Sequence, residues 1–259
     1  MKRFLRLTVL SALMLTGNAA FAQDECTKIT ATGHPAYPVI AYKNGDNIVG
    51  AAPTLVETIA KQINVPLESK YTGTWEEAQA AARDGKVDMI FGIYYNDERA
   101  TYLDYVQPAF TFDDVAIFVA KGEQFPFTSE DDLIGKKGVT NQGESYGNEF
   151  DAFMKDKLDV ARANGIDAAF KDLLDGKADY LIAGYFPGLA EAAKEGNKDK
   201  VVALNQALLS QEMFVAFSKK SPCRSLASKF GEGITELTTN DSYDQILAEA
   251  QKAWEAKSK

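Results

Sequence analysis

Two stretches of the chain, DGKVDMIFGIYY from Asp84 and DGKADYLIAGYF from Asp175, repeat one another. Each follows a helical pattern, breaks it at a glycine and runs on through apolar residues to Gly and aromatics. In the first copy, Thr74 with Glu77 has the spacing of a capping box, and Gly85 stands where a helix stop tolerates positive φ. Val87–Phe91 then reads as a buried strand. In the second copy, Ala168–Asp175 reads as the helix, Gly176 as its stop and Tyr180–Ala183 as the strand. Helix–glycine–strand units do recur by chance in α/β chains. A shared D-G-K-x-D at the same place points instead to two similarly built lobes.

A weaker echo agrees. KITATGHP near the N-terminus and KKGVTNQGES from Lys136 both read as a strand followed by a glycine-containing loop. The first leads into a helix with Pro53 near its start and Leu55, Val56, Ile59 and Ile63 on one face. The second leads into a helix with Phe150, Phe153, Met154 and Leu158 as its apolar stripe. Both stripes read as core. Strand–helix alternation in each half predicts mostly parallel sheets with right-handed crossovers. Beyond 212, MFVAFS (213–218) reads as a strand, Pro222 as a helix start, and Leu226, Phe230, Ile234 and Leu237 keep helical spacing. Ser242 and Gln245 read as a capping box for a last helix. No linker rich in Pro, Gly or Ser parts the halves. The apolar strands VAIFVAK and EMFVAF sit at the boundaries instead, so two strands are expected to cross a hinge.

The chain opens with Lys2, Arg3 and Arg6, a mainly apolar run over 7–17, and Ala20-Phe21-Ala22. That order is a secretory leader, with cleavage expected after Ala22. Its apolar run is short for a bilayer span, and no later stretch approaches one. Asp24 and Glu25 before Cys26 are not a lipid-attachment pattern. The formal charge is −9, and loss of the leader would remove three positive charges, Lys2, Arg3 and Arg6, and no negative ones. An acidic exported chain without a basic block is a poor partner for nucleic acid or anionic membrane. The two cysteines, Cys26 and Cys223, are either buried thiols or a disulfide, and an oxidising compartment favours the disulfide.

Taken in order, the leader, GHPAYPV, Trp75, DGKVD, ERA, IFVAK, GKKGVTNQGES, LLDGKADYLIAG, VAFSKKSPC and NDSYDQIL resemble the family 3 extracellular solute-binding proteins, polar-amino-acid receptors of bacterial ABC importers. The resemblance covers the whole chain after the leader. It implies a two-lobed α/β fold that closes on its ligand like a flytrap, with lobe 1 over 23–115 and 212–259 and lobe 2 over 116–211. Both cysteines then fall in lobe 1. The implied partners are a small-molecule ligand, an amino acid by that likeness, and an inner-membrane ABC permease. The implied setting is the periplasm, as a monomer with no cofactor.

The resemblance also assigns residues. Arg99 matches the arginine that holds the ligand's carboxylate. Chemistry supports this independently, because guanidinium is a planar fork that fits carboxylate bidentately. Ligands also gather at the carboxyl ends of parallel strands, where Gly92–Arg99 would lie. The alternative is a surface ion pair with Asp97, Glu98 or Asp104. Tyr37 matches an aromatic packed on the ligand, and Trp75 the opposing wall, with core packing as the alternative for each. His34 occupies a position that selects ligand side chains in relatives. As the sole histidine, with no Cys or His cluster beside it, it is not read as a metal ligand. Gly143, Glu144 and Ser145 match a loop whose amides and hydroxyls receive the carboxylate at a helix N-terminus. Ser145 could equally cap that helix. Tyr94 lines the cleft or packs at its rim.

Three departures qualify the match. The span from Asp88 to Arg99 is one residue shorter than the commoner spacing, and Tyr94 replaces a small hydroxyl residue. The aspartate that pairs with the ligand's ammonium aligns with Gly184. Glu144 is the expected substitute, against the alternative of a solvated first-turn glutamate favoured by the helix dipole. An exported enzyme of cyclohexadienyl-dehydratase type would need a buried acid or base, for which Glu144 and Glu212 are the candidates. A ligand sensor for a membrane receptor would use the same cleft.

Overall fold

The computed structural model describes residues 26–194, 196–197 and 199–257, so the expected leader and its cleavage site lie outside the described residues. The first half runs β1 (Ile29–Gly33), β2 (Ala36–Tyr37), β3 (Ala41–Asn44), β4 (Asn47–Val49), α1 (Ala51–Gln62), β5 (Leu67–Ser69), α2 (Trp75–Asp84), β6 (Met89–Tyr94), α3 (Asp97–Ala100) and β7 (Leu103–Tyr105). A long strand, β8 (Thr111–Ala120), leads into the second half: β9 (Lys137–Asn141), α4 (Asn148–Lys157), β10 (Asp159–Ala163), α5 (Ile166–Leu174), β11 (Tyr180–Gly184) and α6 (Tyr185–Ala192). A second long strand, β12 (Val201–Ser218), returns to the first half and is followed by α7 (Ala227–Thr239) and α8 (Ser242–Lys257).

Among the described residues the strands join into one continuous sheet in the order β10-β9-β11-β8-β12-β6-β1-β5, with β7 also on β12, while β2, β3 and β4 form a separate small sheet. β1 pairs in parallel with β5 and β6, and β9 in parallel with β10 and β11. The two blocks are fused by β8 and β12, which pair antiparallel from Thr111–Met213 to Ala120–Val201. One sheet rather than two follows from these shared strands: β8 carries β11, and β12 carries β6.

The repeated D-G-K-x-D has the same job in both blocks. Thr74 and Glu77 close the capping box on α2, and Gly85 ends it in the left-handed region at φ 75°. Gly176, at φ 71°, makes the matching turn after α5. The last aspartate then anchors a neighbouring strand. Asp88 donates its N–H to the Thr30 carbonyl at 2.8 Å and accepts the Thr30 N–H on Oδ2 at 2.8 Å. Asp179 does the same with Lys137, at 2.7 Å and 2.7 Å.

Boundaries moved where tertiary pairing decided them. β6 starts at Met89 rather than Val87 and runs on to Tyr94, because its partner β12 continues that far. α8 takes in Ser242 itself, whose N–H is received by Asn240 Oδ1 at 3.0 Å, so Ser242 is the first residue of that helix and not its cap. Leu55, Val56 and Ile59 of α1 and Phe230, Ile234 and Leu237 of α7 enter the main core. Cys26 and Cys223 form a disulfide that ties the segment before β1 to the turn before α7, 197 residues away.

Candidate functional site

The parallel strands β1, β6, β9 and β11 end on one crevice, where switch points in α/β sheets place ligands. His34 follows β1, Arg99 follows β6, the 142–146 loop follows β9, and Gly184 closes β11. Side chains from the two halves meet there. Asn96 Nδ2 donates to Ser145 Oγ at 2.6 Å, Gln79 Nε2 to the Gly143 carbonyl at 3.0 Å, and the Asp97 N–H to Asn148 Oδ1 at 3.0 Å.

Arg99 is 3% exposed, which excludes a surface pair with Asp97, Glu98 or Asp104. The shortened span before it folds into the single turn of α3, where Asn96 caps by accepting the Arg99 N–H at 2.7 Å. The guanidinium donates from Nε to Gln79 Oε1 (2.9 Å), from one terminal nitrogen to the Tyr94 carbonyl (3.0 Å) and from the other to the Gly143 carbonyl (3.1 Å). All three acceptors are neutral, and among the described residues no carboxylate lies within ion-pairing distance of it. Guanidinium has five N–H donors, so part of the fork is uncommitted. A buried cation without a directly paired carboxylate is costly, and Glu144 offsets this only from beyond ion-pairing distance, which makes Arg99 an anion-seeking group. Trp75 packs beside it, 5.7 Å from ring centre to guanidinium, and its buried Nε1–H has no hydrogen-bond partner among the described residues. Trp75 thus serves core and crevice together.

The loop after β9 differs from expectation. Gly143 turns a carbonyl, not an amide, toward Arg99 and Gln79. α4 starts only at Asn148, with Gly147 at its N-cap, so Gly143, Glu144 and Ser145 lie outside its first turn. Ser145 does not cap that helix: its hydroxyl accepts from Asn96 and donates to Asp151. Nor is Glu144 solvated, its side chain being 12% exposed. His34 Nδ1 accepts the Ala36 N–H at 2.9 Å, which puts the ring proton on Nε2, 3.1 Å from Glu144 Oε1. The ring packs 5.0 Å from Trp75 and 5.4 Å from Tyr37. Burial works to raise the Glu144 carboxyl. The His34 hydrogen bond, the Arg99 guanidinium and the Asn141 amide outweigh it and hold the group below the ordinary carboxylate range.

A residue the sequence reading missed completes the site. Asp113 on β8 is 3% exposed, and its Oδ2 accepts from both the Tyr37 and Tyr94 hydroxyls, which stand 2.6 Å from each other. Burial pushes the Asp113 carboxyl up to about 6 despite those two hydrogen bonds. Burial, then neighbouring charge, pushes both phenols well above their usual range. A Cβ on Gly184 would lie 1.9 Å from Tyr37 Oη and 2.9 Å from Asp113 Oδ2. The available signal was period two: Asp113, Val115, Ile117 and Val119 share one face of β8, and at its start Phe112 and Asp114 on the other face are exposed.

Other expected residues sit elsewhere. Gly92, at φ 70°, is the extra residue of a bulge where β6 meets β12, and it faces Ile40 and Met213 rather than the crevice. Tyr94 is buried, not at the rim, whereas Tyr95 is 42% exposed. Glu212 is exposed on the other side of β12 and faces a separate groove with Phe150 and Gln211, which removes it as an acid or base of this site. Outward from Arg99 the crevice widens to a cavity of about 590 Å³ lined by Glu76, Arg83, Asp151 and Arg162 among others. Among the described residues no group of three or more His, Cys, Asp or Glu side chains could hold a metal ion.

The model of the bacterial extracellular solute-binding proteins, family 3, matches residues 29–252. The chain is 25% identical over 245 residues to the probable amino-acid-binding protein YxeM of Bacillus subtilis (strain 168), covering 93% of this chain and 89% of that one. It is 24% identical over 218 residues to the L-cystine-binding protein TcyJ of Escherichia coli (strain K12), covering 82% and 78%. Among solved structures, a histidine kinase sensor domain with similarity to periplasmic binding proteins superposes with a TM-score of 0.73 at 23% identity, over 87% of this chain and 96% of that one. That last likeness bears on the fold alone.

Proposed function

The chain belongs to the bacterial extracellular solute-binding proteins, family 3, and on that premise we propose that it captures an amino acid in the crevice and delivers it to an inner-membrane ABC permease. Its fold is the two-lobed periplasmic-binding-protein fold. We place the lobe boundaries inside β8 and β12, near 115/116 and 211/212, so that 23–115 with 212–259 faces 116–211 across the crevice. The chain works as an exported periplasmic monomer that binds its solute without transforming it.

Arg99 carries the reading. It is a buried cation bonded only to neutral oxygens, with donors left over, at the strand ends where a ligand is expected. In this reading the free donors take the solute's carboxylate, Trp75 and Tyr37 wall it, and His34 with Glu144 borders its side chain. Ser145 and Gly143 contribute by holding Asn96, Gln79 and Arg99 in place. The names of the two relatives, for amino-acid and L-cystine binding, supply the solute class.

The test is native mass spectrometry of freshly purified protein, followed by calorimetry with the twenty L-amino acids and L-cystine. A micromolar or tighter complex is expected for at least one, weakened at least about a hundredfold in Arg99→Ala, since breaking a buried charge pair costs roughly 2–5 kcal/mol. Unchanged binding by Arg99→Ala overturns the site. Deletion of the gene should abolish uptake of that solute; a chemosensory phenotype with intact uptake replaces the importer role with a sensor's.

A further inference from the structure

We propose that Asp113, borne on the crossover strand β8, is the positioning residue that makes the crevice selective for a cationic nitrogen, acting through the hydroxyls of Tyr37 and Tyr94. This rests on the amino-acid reading above and names what recognises the ammonium.

Three observations lead there. First, the side chain that a residue at 184 would project is excluded by Tyr37 Oη and Asp113 Oδ2, so the space beside β11 is already filled by a carboxylate and a phenol from other elements. Second, an ionised carboxylate only accepts, so the phenol protons are drawn toward Asp113. Tyr37, Tyr94 and Asp113 bring three oxygens into mutual contact, and two phenolic protons cannot serve all three contacts. The cluster is short of a donor and carries a negative charge, which is what an ammonium supplies and neutralises. Third, one member of the cluster reaches the crevice: Tyr37 lines a small cavity with His34, Glu144 and Gly184, while Tyr94 and Asp113 stay buried behind it. A Tyr37 oxygen whose proton is taken by Asp113 keeps its lone pairs for other donors, attracting N–H groups and repelling a carboxylate.

Placed this way, the two ends of the site are distinct. Arg99 serves the anionic end, and Asp113, backed by its tyrosines, serves the cationic end. Glu144 is a second anion near the cluster, but its Oε1 already receives the His34 Nε2–H and the Asn141 amide. The charged and titratable groups bearing on Asp113 are Tyr37 from β2, Tyr94 from β6, Asp114 on β8 itself and Glu144 from the loop after β9. The anionic neighbours act in one direction: they favour a proton, or a ligand cation, on the cluster.

A proton and an ammonium therefore compete for the same place. Burial leaves the Asp113 carboxyl titrating at about 6, and a bound ammonium stabilises its ionised form. Amino-acid affinity is then complete well above that value and falls as the pH drops through it. A ligand with the same carboxylate and no ammonium lacks this dependence.

The experiment compares the tightest-binding of the twenty L-amino acids and L-cystine with its des-amino carboxylic acid, by calorimetry at pH about 5.5 and about 7.5. The quantity read is the ratio of the two affinities, which cancels titrations that touch both ligands alike. In the wild type the ratio should favour the amino acid at least tenfold and shrink about fourfold at the lower pH. Asp113→Asn should lose most of that preference, bind the des-amino acid at least as well as the wild type does, and show no pH dependence of the ratio. Equal weakening of both ligands in Asp113→Asn, or a pH-independent wild-type ratio, overturns the proposal. So does loss of the preference in Glu144→Gln with its retention in Asp113→Asn. If Asp113→Asn fails to fold, the wild-type pH ratio decides alone. A wild type that binds the des-amino acid through Arg99 but no amino acid keeps the carboxylate site and sinks the cationic one; a wild type that binds neither sinks the amino-acid reading and this inference with it.

Discussion

At Gly184 the backbone lies at φ −55° and ψ 144°, values open to any residue, so the glycine is required by space and not by conformation. The side chain it lacks would meet Tyr37 and Asp113, whose position on a buried strand face is fixed by Val115 and Ile117 in the same row. Gly184→Ala should therefore force the Tyr37 ring aside. Overpacking of this kind costs about 1–3 kcal/mol, read as a lowered midpoint in urea unfolding. Binding should weaken in parallel, since Tyr37 faces the small cavity. A variant with wild-type stability would mean that Tyr37 yields freely and that the cluster is not held. The buried place of Arg99 after β6 was legible because its residue type and strand-end position set it apart from a surface ion pair. Asp113 was not, since a carboxylate among β-formers reads as a strand start until its row is counted.

Among the elements, the repeated unit shows what a local motif can specify. Its capping box, its positive-φ glycine and its strand were all readable, because each is settled within a few residues. The job of its final aspartate was not, because Thr30 and Lys137 reach it from strands 58 and 42 residues away. The two copies also differ in what depends on them. Asp88 is partly buried and takes a further hydrogen bond on Oδ1 from Ser221 at 2.6 Å, whereas Asp179 is exposed. Asp88→Ala strands partly buried donors and should cost about 1–3 kcal/mol, while Asp179→Ala leaves groups that water can reach and should cost under about 1 kcal/mol. Paired thermal melts of the two variants check the order; equal losses would show that the anchors act through strand geometry and not through burial. The ends of β6, β8 and β12 differ from the ends of their apolar runs for the same long-range reason. Apolar runs mark where a strand is buried, and pairing with distant partners decides how far it extends.

At the scale of the molecule, the halves are linked in two ways. β8 and β12 run through both, and the crevice is bridged by contacts that belong to neither half alone. The alternation of strands and helices made both blocks readable from sequence, but how they meet depends on side chains such as Asn96 and Ser145 that no periodicity marks. Arg99 spans that division in one residue, because the Gly143 carbonyl it bonds comes from the other half. A solute on Arg99 therefore gains most when the halves are together, and binding should favour the closed arrangement by that difference in contacts. Small-angle scattering should show a smaller radius of gyration at saturating ligand than without it. The contribution of the bridges can be read from Asn148→Ala, which removes the acceptor of the exposed Asp97 N–H at 3.0 Å and touches neither Arg99 nor the tyrosine cluster. One such hydrogen bond is worth about 0.5–1.5 kcal/mol. The variant should thus bind up to about tenfold more weakly, mainly through faster dissociation, with its preference among ligands unchanged. A ligand that leaves the scattering profile unaltered, together with an Asn148→Ala variant of wild-type affinity, would show that the halves do not move on binding and that the crevice is a fixed site.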